Sequence, residues 1–112
     1  LADNAMKHFL LFYDYVPDYL ARRTALRPAH FAHARAANAR GDLVLAGACT
    51  DDGAPIGVLL FKAADRAIVE DFAREDPYVV NGLAARWHVR EWTTVMGADA
   101  LTTVTVPAAG EN

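Results

Sequence analysis

Cysteine occurs once in the 112 residues, as Cys49, so neither an intrachain disulfide nor a multi-cysteine metal site can form. A reducing cytoplasm is the expected compartment. Cys49 has no base beside it in sequence and is expected to be a small buried hydrophobe rather than a nucleophile. No block of basic residues is present and the net charge is -3, which argues against the positive stripe that nucleic-acid phosphates need. No apolar run approaches the roughly 20 residues of a membrane span, and the run at 9–12, between Lys7 and Asp14, is too short even for a signal-peptide core. Gly47 has no second spaced glycine and no following Lys-Thr or Lys-Ser, so it is no phosphate loop. His30 and His33 share a helical face and His8 and His88 fall on strands, yet no carboxylate stands at ligand spacing beside them, so no metal is expected.

What is present is a chain that is 54% hydrophobic, enough for one domain with a single core. Met6-Lys7 reads as a start, with 1–5 upstream of the fold, 6–97 as the domain and 98–112 as a C-terminal extension. Residues 7–13 suit a strand with Phe9, Leu11 and Tyr13 on one face and Leu10 and Phe12 on the other. Pro17 opens a helical turn or two that Pro28 should interrupt, because the residue before proline avoids the helical region. A second helix is then expected from Pro28 to about Arg40, with Phe31, Ala34 and Ala37 or Asn38 at helical spacing and Gly41 as its stop. A short strand at 43–46 and a turn at Asp51-Asp52-Gly53 lead into a strand at 56–61 that Lys62 ends. Residues 65–75 read as an amphipathic helix with Ile68, Val69 and Phe72 inward. A strand over 84–96 puts Trp87 and Val89 on one face and His88, Trp92, Thr94 and Met96 on the other, and 101–106 alternates weakly as an edge strand.

The order β, α, β, β, α, β is the split βαβ pattern of an α+β, ferredoxin-like domain, in which two helices cover one face of a four-stranded sheet. Because three of the four strands carry bulky apolar groups on both faces, a second copy is expected to bury the uncovered one, with a ligand pocket or the C-terminal segment as the alternative cover for part of it.

Two corners carry candidate chemistry. Pro28 at a helix start would hold His30 in the first turn, and Pro77 after a helical run would fix the Asp76 carboxylate at a bend. If the fold joins them, the imidazole moves a proton near neutral pH and the carboxylate steadies its tautomer. On residues alone, His30 packing at a helix start and Asp76 capping the turn is the competing reading. Arg27 either holds a substrate oxygen or forms a surface ion pair, and Tyr78 either lines a pocket or anchors the turn.

Three stretches, R-T-A-L-R-P-A-H at 23–30, G-D-L-V-L-A-G at 41–47 and E-D-P-Y-V-V-N-G at 75–82, stand in the order found in the YCII-related (YciI-like) family, which this chain resembles from about Met6 to Gly97. That resemblance implies a dimeric α+β barrel whose His and Asp pair falls on His30 and Asp76, with Arg27 and Gly47 nearby, and Tyr78 is the further candidate for contact with a small-molecule ligand. It further implies cofactor-independent proton transfer (elimination, dehydrohalogenation or isomerisation) on a small oxygenated compound. The alternative is a non-catalytic dimeric domain that binds a small ligand or serves as an accessory.

Overall fold

The structure, a computed structural model, describes residues 5–102 and 104. Its elements run β1 (Lys7–Tyr15), α1 (Tyr19–Ala39), β2 (Leu43–Cys49), β3 (Ile56–Ala63), α2 (Arg66–Glu75), α3 (Pro77–Val80) and β4 (Ala84–Trp92). The strands form one antiparallel sheet in the order β2-β3-β1-β4, with β1 central between β3 and β4. Each long helix therefore connects two strands with a third between them, and the outcome is a small α+β fold with split βαβ connectivity.

The helices cover one face only. On it lie Phe9, Leu11, Tyr13 and Tyr15 of β1 beside Leu59, Phe61 and Ala63 of β3, all buried against Ala37 of α1 and Val69, Phe72 and Ala73 of α2. The alternation along β1 is the expected one, since even-numbered residues from Leu10 to Asp14 fall on the opposite face and are half-buried. Ile68, expected inward, is exposed, because one turn of α2 presents Val69, Phe72 and Ala73 to the sheet and leaves Ile68 at its margin.

Helix α1 differs most from expectation. It runs unbroken through Pro28, so His30 stands in its second half and not in a first turn. Pro28 lacks the N–H that would bond the Thr24 carbonyl, a loss worth about 3 kcal/mol in a helix interior. Both residues face solvent, so water can satisfy that carbonyl, and packing of Tyr19 and Ala37 holds the two ends to the same core. Gly41 ends the helix at a φ of 86°, with Gly41 N–H donating to the Asn38 carbonyl and Asp42 N–H to that of Ala37. Asp65 caps α2 by accepting the Ala67 N–H at 2.9 Å.

Strands β2 and β3 are longer than expected, and Lys62 lies within β3. Cys49 is exposed, which corrects the buried-thiol expectation: it ends edge strand β2 opposite Ile56, on the face without helices. β4 stops at Trp92 and not at Met96, because Thr94 turns inward to meet His8, Oγ1 to Nδ1, at 2.8 Å. Leu101 N–H donates to the same Oγ1 at 3.0 Å and Thr102 N–H to the Thr94 carbonyl, folding the chain back on itself. Of the expected edge strand, Leu101, Thr102 and Val104 are outside any strand, and 103, 105 and 106 lie outside the described residues.

Two expectations follow. A Cβ added at Gly57 would stand 2.5 Å from the Tyr15 hydroxyl and 2.9 Å from Tyr15 Cζ, in a ring already stacked on Tyr19 at 3.9 Å. Gly57→Ala is expected to cost about 1–3 kcal/mol in urea denaturation; no loss would mean that the ring moves freely. Burial first, and the Lys62 ammonium second, hold His8 below its ordinary 6.5, with Asp99 opposing. The unfolded chain then binds the proton more readily, so the contribution is complete above about 6.5 and is lost as pH falls below it. The fall in urea midpoint from pH 7.5 to 5 should shrink in His8→Gln, and an unchanged fall would remove His8 as its source.

Candidate active site

The site begins with a backbone corner. Pro77 excludes the helical region for the residue before it, so Asp76 takes φ −67° and ψ 126° between α2 and α3. Its side chain folds back as the cap of α3, where Oδ1 accepts the Tyr78 N–H at 3.0 Å. This carboxylate is completely buried, an arrangement that costs several kcal/mol unless donors surround it. Tyr13 O–H donates to Oδ2 at 2.7 Å from the centre of the sheet. His30 Nδ1 lies 2.8 Å from Oδ1 and 3.0 Å from Oδ2. Strand β1, helix α1 and helix α3 thus each send one donor to the same group.

The proton positions follow from this pattern. Burial, and next the Asp76 charge, push the Tyr13 phenol far above its ordinary range, so it keeps its proton and donates. A carboxylate can only accept, so Nδ1 of a neutral His30 carries the hydrogen and Nε2 carries the lone pair. The ring lies flat on Tyr78, with centroids 3.7 Å apart and planes 5° apart, which fixes its rotation. Among the described residues Nε2 has no partner and no buried side-chain nitrogen or oxygen is left unpaired, so this atom is reached from outside. His30 lines a cavity of about 300 Å³ between α1 and β2, and Nε2 is the polar atom it has to offer there.

Helix α1 gives that cavity Tyr19, Arg23, Arg27, His30 and Phe31, while β2 gives the small side chains of Ala46 and Ala48, which leave the space open, and the backbone of Gly47, which pairs with Val58 on the opposite face. Tyr15, Leu59 and Tyr78 complete much of the remaining lining. Burial raises the Tyr78 phenol to about 12, with Tyr19 adding to the rise and Arg27 and Arg23 opposing it, so at neutral pH it too remains a donor.

Of the residues singled out in sequence, His30, Arg27, Gly47 and Tyr78 line the cavity, and Asp76 stands behind His30. Tyr78 meets both descriptions offered for it, being 2% exposed and part of the lining. Arg27 has no carboxylate partner among the described residues; its guanidinium lies 5.0 Å over the Phe31 ring. His33 turns away from His30, stacking on Phe72 with Nε2 2.9 Å from the Phe72 carbonyl. Sequence reasoning missed Tyr13, Tyr15, Tyr19 and Arg23. A continuous helix puts 19, 23, 27, 30 and 34 on one face, a signal that dividing the chain at Pro28 concealed.

The YCII-related domain model matches residues 6–93. Among solved structures, the chain is similar to the 5-chloro-2-hydroxyhydroquinone dehydrochlorinase TftG of Burkholderia phenoliruptrix AC1100, solved with 2,5-dihydroxybenzoquinone, at a TM-score of 0.68 and 23% identity over 79% of this chain and 95% of that one. It is also similar to NE2512, a protein of unknown function from Nitrosomonas europaea, at a TM-score of 0.50 and 15% identity over 95% of this chain and 99% of that one. At these identities the likeness is one of fold. No curated protein matches.

Removing one donor from a buried anion should be costly. Tyr13→Phe is expected to lower stability in urea denaturation by about 1.5–3 kcal/mol, the range for a hydrogen bond to a charged group. A loss below about 0.5 kcal/mol would mean that the phenol does not support the carboxylate.

Proposed function

We propose that this chain, which belongs to the YCII-related family, is a cofactor-independent enzyme that moves protons on a small oxygenated ring compound, with His30 as general acid/base and Asp76 as its positioning group. The observation that carries this reading is the pairing of His30 Nδ1 with a buried carboxylate while Nε2 is left free on a cavity. Such an imidazole takes a proton at Nε2, and the imidazolium that forms is stabilised by the Asp76 charge behind it. Arg27 and Tyr78 would hold substrate oxygens, and the ring would lie along the Gly47 backbone between the small side chains of Ala46 and Ala48.

The solved neighbour's dehydrochlorinase activity supports a specific form of the reaction. In a chlorinated hydroquinone, His30 would take a hydroxyl proton and return it to the ring carbon bearing chlorine, giving a ketone and a saturated C–H–Cl carbon. Removal of the proton from the opposite hydroxyl then drives the electron pair through the ring and expels chloride, leaving a quinone. Two O–H groups become carbonyls, C–Cl becomes C–H, and one H⁺ and one Cl⁻ depart, so no external oxidant is needed.

We place the enzyme in the cytoplasm as a homodimer joined through the sheet face without helices. Half-buried Leu10, Phe12, Val58 and Leu60 on that face favour the pairing, as the exposed Cys49 thiol favours a reducing compartment. Among the described residues, no helix is long and apolar enough to cross a membrane.

Chloride release from 5-chloro-2-hydroxyhydroquinone, followed by ion electrode, tests the reading. His30→Ala should lower kcat by about 10²–10⁴-fold, the usual worth of a general acid/base. Asp76→Asn should lower it as well, because an amide N–H facing Nδ1 favours the tautomer that protonates Nε2. Full activity in a folded His30→Ala protein, or no turnover by the unaltered chain, would end the proposal.

A further inference from the structure

The cavity is cationic although the chain as a whole carries a charge of -3. Arg23 and Arg27 stand one turn apart on its α1 wall, and no Asp or Glu lines it. The one nearby carboxylate, Asp76, is completely buried behind His30 and already accepts three donors. Elsewhere on α1 and at its end, Arg22 pairs with Asp18 and Arg40 with Asp42, while Arg35, outside the cavity, rests over Phe31 with no ion pair among the described residues. Arg23 and Arg27 take part in no ion pair among the described residues. Arg23 donates only a long hydrogen bond, 3.4 Å, to the Tyr19 hydroxyl, and its guanidinium lies 5.3 Å from the centre of that ring. Arg27 rests over Phe31. Aromatic faces align both guanidinium groups without consuming their N–H donors.

From this juxtaposition we infer that the cavity selects a ring compound that is already anionic at neutral pH, with Arg23 and Arg27 as its specificity-determining pair. This rests on the proposed site and adds the ionisation state of its ligand. A planar ring fits in the space between α1 and β2, and ionised oxygens on its rim meet guanidinium donors whose only internal acceptor among the described residues is the Tyr19 hydroxyl, held by Arg23 at 3.4 Å. A neutral phenol of the same size fills the same space without the charge interaction. Arg23, absent from the residues singled out in sequence, then matters as much to binding as Arg27.

Calorimetric titration with 2,5-dihydroxybenzoquinone, ionised at neutral pH, and with neutral hydroquinone tests the inference. The unaltered protein should bind the anion at least about tenfold more tightly, with an affinity that falls as salt rises. Arg23→Gln and Arg27→Gln should each weaken anion binding by about tenfold and hydroquinone binding by much less, while Arg27→Lys restores part of the loss. Arg35→Gln, at a guanidinium 5.7 Å from the Phe31 ring and outside this cavity lining, should change neither. Equal affinity for the two probes, binding of neither, or an anion preference that survives Arg23→Gln/Arg27→Gln overturns it. A protein that prefers the anion but releases no chloride sinks the proton-transfer reading alone, whereas turnover indifferent to both arginines sinks the charge selection alone.

Discussion

The structure turns on one carboxylate with no access to water. Asp76 can exist as an anion in the core only because three donors reach it, and each comes from a different part of the chain: Tyr13 from the sheet, His30 from α1 and Tyr78 from the backbone of α3. Losing any one leaves a charge underpaid by hydrogen bonds in a medium of low polarity, where that deficit is most costly. The same requirement that stabilises the anion therefore also fixes how α1 and α3 sit against β1. The geometry a proton-transfer site needs is here a by-product of solving a burial problem.

The two buried histidines show how environment divides a single residue type. His30 faces a full negative charge through one nitrogen and a cavity through the other. His8 meets a hydroxyl, with an ammonium group near it, and burial keeps it neutral. Both lie in or next to the same sheet, but only the first has the asymmetry, one face held and one face free, that acid/base work demands. A histidine count alone says nothing about this difference.

Much of the architecture was legible because it depends on local rules. Two-faced apolar strands, the Asp51-Asp52-Gly53 turn, Gly41 after α1 and the extended corner at Asp76-Pro77 each follow from side-chain alternation or backbone restriction within a few residues. The Asp76 to His30 approach was legible as an idea but not as a distance, since no local rule measures the separation of residues 46 positions apart. Pro28 misled because its penalty is averaged over helix interiors, whereas here the deprived carbonyl faces solvent. Tyr13 was read as one more core aromatic, and its hydroxyl shows its purpose only once Asp76 is beside it. Cys49 and Ile68 were assigned by hydrophobic character, yet one ends an edge strand and the other sits at a helix margin, where character does not decide burial.

Pro28 also divides the work of α1. Arg23 belongs to the half before it, and His30, pinned through Nδ1, belongs to the half after it. At that level the helical ladder is short of one rung, so the rod is more compliant there than in the turns on either side. Thermal motion that widens the spacing between the arginine-bearing turn and β2 can be taken up at this joint. The imidazole can then stay registered on its carboxylate while the first half of the helix breathes.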